Sequence, residues 1–124
     1  MLKRITIIAT ATLFSLTACN RLSPNEQKIV GTWEAPGGFG PRCIFRSDRT
    51  SETLFPGEAG KWVVMTKGQW RLEGNNIVED FRFISPAPAP GETPRTFKGR
   101  TPVIEFRQDR LVMETLEQSL FRVR

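Results

Sequence analysis

The sequence predicts an all-β domain of short antiparallel strands, and three observations carry that prediction. From Gly31 onward apolar and polar residues alternate with period two: Trp70 and Leu72 against Gln69, Arg71 and Glu73; Phe81 and Phe83 against Asp80 and Arg82; Ile104 and Phe106 against Glu105 and Arg107. Turn-forming stretches separate the runs: "SDRT" at 47–50, "EGNN" at 73–76 and "RQDR" at 107–110. No segment after Val30 has its apolar residues at helical spacing. Roughly seven to nine strands in meander order leave a sandwich or a closed barrel as the economical ways to cover the sheet edges.

The chain before the strands divides into three parts. Lys3 and Arg4 precede an apolar run from Ile5 to Leu16, which is followed by Thr17, Ala18 and Cys19. That is the order of a secretion leader over residues 1–18. As a helix, Ile5 to Ala18 would reach only about 21 Å, against a hydrocarbon core of about 30 Å, which argues against a stable span. Leu16 is unsuited to the A-x-A spacing of ordinary signal cleavage, and cleavage at the earlier Ala9 to Ala11 would leave too short an apolar region. Residues 19–28 read as a tether running into a short helix. Ser23 is its N-cap, Pro24 its first position and Glu26 the partner of a capping box, and Gly31, Thr32 and Trp33 end it. Residues 29–124 form the barrel or sandwich domain.

Composition supports one packed domain. The chain has 124 residues, 39% hydrophobic and 25% charged. Its formal charge of +5 includes Lys3 and Arg4; without them 16 basic residues face 13 acidic ones, spread evenly. A balance so mild argues against nucleic acid as a partner.

Among the strands, "RCIFR" sets Cys43 and Phe45 on one face and Arg42 and Arg46 on the other, so Cys43 reads as a small buried hydrophobe. In "GKWVVMTKGQW" Lys67 and Gly68 mark either a turn or a bulge in one long strand. The expected inward set is Cys43, Phe45, Trp70, Leu72, Phe81, Phe83, Ile104, Phe106, Leu111, Met113, Phe121 and Val123, with Trp33, Trp62 and Phe97 as further core aromatics. Residues 84–95, "ISPAPAPGETPR", carry Pro86, Pro88, Pro90 and Pro94 and cannot lie in a sheet interior. They form a stiff, extended loop at one end.

The motif L-T-A-C, Leu16 to Cys19, closely resembles the bacterial lipobox, in which a cysteine is acylated before cleavage. That resemblance implies a diacylglycerol on the Cys19 sulfur, an acylated amine, and attachment to a lipid bilayer, since two or three chains are needed for lasting anchorage. Asn20 is not the aspartate associated with inner-membrane retention, so the implied address is the outer membrane, facing the periplasm. Cys43 is then left without a partner in the chain.

A second resemblance chooses between sandwich and barrel. "IVGTWE", "IFRSDRTSE", "GQWRLEGNNI", "DRLVME" and the terminal "FRVR" are similar to the small lipocalin-like (calycin) domains of bacterial lipoproteins. Those are up-and-down barrels of about eight strands entered by a short helix. Gly31 and Trp33 match their G-x-W motif, and Arg122 or Arg124 matches the arginine of their last strand, which implies an arginine packed on Trp33. There is no tyrosine, so the Arg and Tyr grip of the fatty-acid-binding branch does not carry over.

The catalytic inventory is thin. With no histidine, Ser/His/Asp and Cys/His arrangements and His-containing zinc sites are excluded. Glu79 and Asp80 point to opposite faces of a strand and make a poor catalytic pair. The expectation is a non-enzymatic protein with no metal or cofactor. Because the inward set is large and apolar, the barrel is expected to be mostly filled. Binding then falls to the rim near the Pro-rich loop and Arg95, Lys98 and Arg100, with an envelope protein or membrane partner, as in an inhibitor, immunity or assembly protein. The alternative is a carrier of a small apolar or amphiphilic ligand.

Overall fold

A computed structural model describes residues 21–113 and 118–123. The leader, Cys19 and Arg124 lie outside the described residues. The described residues are all-β apart from one short α-helix and two single 3-10 turns, Pro36–Gly38 and Glu58–Gly60. Helix α1 (Pro24–Ile29) is followed by β1 (Gly31–Glu34), β2 (Arg42–Phe45), β3 (Thr50–Pro56), β4 (Trp62–Glu73), β5 (Asn76–Phe83), β6 (Phe97–Arg107), β7 (Arg110–Met113) and β8 (Gln118–Arg122). Each strand pairs antiparallel with the next, and β8 returns to β1, closing an eight-stranded up-and-down barrel of the lipocalin-like kind. Closure covers both edges of every strand over the length that the eight share. Among the described residues, no helix is long and apolar enough to cross a membrane.

The helix begins where the sequence places it. Ser23 Oγ accepts from Glu26 N–H at 3.1 Å and Glu26 Oε1 accepts from Ser23 N–H at 2.8 Å, with Pro24 at the first position. Glu26 is also buried. It accepts a further bond from Leu72 N–H at 3.0 Å and pairs with Arg49 at 2.8 Å, which fixes α1 under the barrel. Arg49 holds this position from the β2–β3 turn with a positive φ of 71°, uncommon for a non-glycine residue.

Trp33, Cys43, Phe45, Trp70, Ile77, Leu111, Met113 and Leu120 pack with Ile29 of α1 into one core. Several expected inward residues are absent from it. Pairing of Trp33 with Arg122 puts Leu120 and Arg122 inside, so Phe121 (44% exposed) and Val123 face out. In β6 the register shifts between Val103 and Glu105; Val103 and Phe106 pack on the core and Ile104 is 64% exposed. Lys67 and Gly68 lie within a single strand, β4, and the irregularity sits instead where Thr53 and Leu54 face Thr66 and Val64. Trp62 is on the outer wall, with the Arg42 guanidinium carbon 4.3 Å from its ring centre.

Strand length divides the barrel. β4 has 12 residues and β6 has 11, while β1, β2 and β7 have four each. The long strands therefore run past the short ones at the end away from α1, and their inner face lies open there.

Candidate functional site

The end closed by α1 brings three of the sequence-predicted residues together. Trp33 Nε1 donates to Ile29 O at 2.9 Å, and the Arg122 guanidinium carbon lies 4.3 Å from the Trp33 ring centre. Arg122 also donates to Val30 O, Lys28 O and Gln108 O at 2.9, 2.7 and 3.0 Å. Gly31 is required beside it: its φ is 146°, and a Cβ there would fall 2.6 Å from Arg122 Nη1. This end is a structural plug, with the arginine stitching helix, first strand and β6–β7 turn together.

The rim cations are not gathered into one surface. Arg100 pairs with Glu73 at 2.7 Å, and Lys98 stands 4.0 Å from Asp80, both on the outer wall. Arg95 lies apart in the Pro-rich loop, where it lines a cleft of about 520 Å³ with Phe83, Pro86, Pro88, Pro94 and Phe97.

At the opposite end of the barrel the inner face carries polar as well as apolar side chains. Register places Ser51, Thr53, Thr66, Glu79, Phe81, Phe83 and Phe97 on the inner face of β3 to β6. Phe81, Phe83 and Phe97 form a trio with ring centres 5.4–5.8 Å apart, yet Phe83 and Phe97 remain 47% and 42% exposed because no short strand faces them. Gly99 beside them leaves room for the Phe81 ring, which a Cβ would meet at 3.2 Å.

Glu79 is at the foot of this open face, in register with Trp70 on one side and Gly99 on the other. Burial pushes its carboxyl above the usual carboxylate range, and a 2.9 Å hydrogen bond donated by Ser51 Oγ offsets that only in part. Neighbouring Cys43 is a buried thiol pushed up to about 12, first by burial and then by the Glu79 charge, so it is protonated and inert at neutral pH. Glu79 was the residue that the sequence reading left out of the site. Its signal was present in "IVEDFRF", where the alternation that puts Ile77 and Phe81 inside also puts Glu79 inside.

No family model matches this chain, nor does any curated protein or solved structure.

Proposed function

We propose that the chain is an envelope lipoprotein, anchored through acylated Cys19 at the outer membrane and facing the periplasm, whose non-catalytic barrel takes a small apolar or amphiphilic ligand on its open inner face. The observation that carries the ligand reading is the accessible inner wall of the long strands, where Phe83 and Phe97 stay exposed above a packed core. Both rings lie beyond the reach of the short strands, where a ligand rather than a neighbouring strand can cover them. The lipid anchor rests on L-T-A-C and on Leu16, which is unsuited to ordinary cleavage.

The test uses the full lipid-bearing chain in a nonionic detergent with N-phenyl-1-naphthylamine, a neutral probe that brightens in apolar surroundings. Wild type is expected to enhance its emission more than Thr66→Trp, which fills the open face, while the common detergent cancels the micelle background. Equal emission from the two proteins refutes the ligand site.

A rim partner is the second reading, favoured by Phe39, 92% exposed in the β1–β2 loop, and by Phe55 and Val63 on the adjoining hairpin. Phe39→Ser leaves probe emission unchanged on either reading. Loss of an in-cell photo-crosslink from the neighbouring loop in that variant supports the rim partner alone.

A further inference from the structure

We propose that the open inner face selects an amphiphilic organic cation, with a protonated amine seated on Glu79 and an apolar body lying along Phe81, Phe83 and Phe97. The inference rests on reading that face as the ligand site. Its starting point is a contrast among the carboxylates of the strands. Glu34 pairs with Arg42, Glu52 with Arg46 and Lys67, Glu73 with Arg71 and Arg100, Asp80 with Arg71 and Lys98, and Glu105 with Arg107 and Arg110. Each of the five has at least one basic partner within 4.0 Å. Glu79 faces inward, and among the described residues its one hydrogen-bond partner is the neutral Ser51 hydroxyl.

A carboxylate held in a partly buried, apolar setting without a counter-cation is unfavourable for folding. A cation from outside supplies what the chain withholds. The inner face also offers hydroxyl oxygens that can accept from an ammonium: Ser51 beside the carboxylate, and Thr53 and Thr66 further toward the open end. Aromatic faces within reach add attraction for a positive head. Toward the open end from Glu79 the inner wall turns apolar at Phe81, Phe83 and Phe97, and Phe83 and Phe97 also line, with Pro86, Pro88 and Pro94, a cleft of about 520 Å³. A fatty acid would bring its own negative charge to Glu79 and is disfavoured by the same arrangement.

The experiment is displacement of N-phenyl-1-naphthylamine from the full chain in nonionic detergent by three ligands of equal chain length: octylammonium, 1-octanol and octanoate. Wild type is expected to respond to octylammonium at least tenfold below octanol, with octanoate the weakest. Glu79→Gln is expected to bring octylammonium within about twofold of octanol while octanol itself is unchanged, which also shows the variant folded. Thr53→Lys, which supplies an internal ammonium from the strand bearing Ser51, should cause the same loss. Equal potency of octylammonium and octanol on wild type overturns the cation inference and leaves the ligand site standing. A tenfold preference that survives both substitutions overturns the assignment to Glu79. Failure of all three ligands, with no probe bound, overturns the ligand site and this inference together.

Discussion

Two partly or wholly buried glutamates show how far one side chain's meaning depends on its partners. Burial works against the charge of Glu26, but the Arg49 hydrogen bond, the N–H groups of Ser23 and Leu72 and the Arg49 charge outweigh it and lower its carboxyl to about 2 from an ordinary 4.5. The lowered value means the stabilisation is complete above pH 4.5 and fades as pH falls toward 2. Glu26→Gln is therefore expected to cost about 2–3 kcal/mol at pH 7, with the gap to wild type closing in acid denaturation series below pH 4. Glu79 has the opposite sign. Its raised value means that stability is full below the unfolded carboxyl's range and is lost as pH rises through the folded value. Glu79→Gln should therefore stabilise by ~1 kcal/mol at pH 7 and by little at pH 4, measured by thermal unfolding; a loss of stability at pH 7 would contradict the account of its burial. The capping role of Glu26 was legible in "SPNE" because a capping box is local. Its pairing with Arg49, 23 residues away, was not, since it depends on where the β2–β3 turn lands.

At the level of elements, the G-x-W strand and the last strand were legible as a pair, and the register of the second was only half legible. Placing Arg122 on Trp33 already required Leu120 inside and Phe121 outside, yet the larger ring drew Phe121 toward the expected core. The register decides, because one residue of slip exchanges every side chain between faces. The shift between Val103 and Glu105 left no local trace, since a bulge answers to the partner strand rather than to its own residues. Arg122 joins these elements through three backbone carbonyls and an aromatic face. Arg122→Ala is expected to cost about 3 kcal/mol by leaving those groups unpaired, and Arg122→Lys to recover less than half, because a single ammonium cannot span the three carbonyls. Full recovery by lysine in urea unfolding would reduce the arginine to a point charge.

For the whole molecule, the position of the tether sets which way the open face looks. Arg49 Nη2 donates to Arg21 O at 3.0 Å, so the chain enters beside the β2–β3 turn, at the end plugged by α1. Cys19 precedes Arg21 by two residues, a reach of about 7 Å at full extension. Under the proposed acylation of Cys19, the anchor holds the plugged end at the bilayer surface. Along β4 the 12 residues rise about 3.3 Å each, and a barrel tilt near 40° leaves roughly 30 Å between that end and the open face. Under the proposed anchor and ligand site, the ligand arrives from the aqueous side rather than directly from the anchoring membrane. The native thiol does not interfere with a labelling test, since Cys43 is buried and protonated. In vesicles bearing the lipidated chain, a fluorophore on Asp48→Cys, in the turn beside the tether, should be strongly quenched by headgroup-bound quencher lipids. One on Phe39→Cys, at the open end, should be quenched little, and mass spectrometry of the mature N-terminus should show diacylglycerol on Cys19. Equal quenching at the two positions would mean that the barrel lies on its side, bringing the open face to the lipid. An unmodified terminus would remove the anchor, and with it the reason for any fixed orientation.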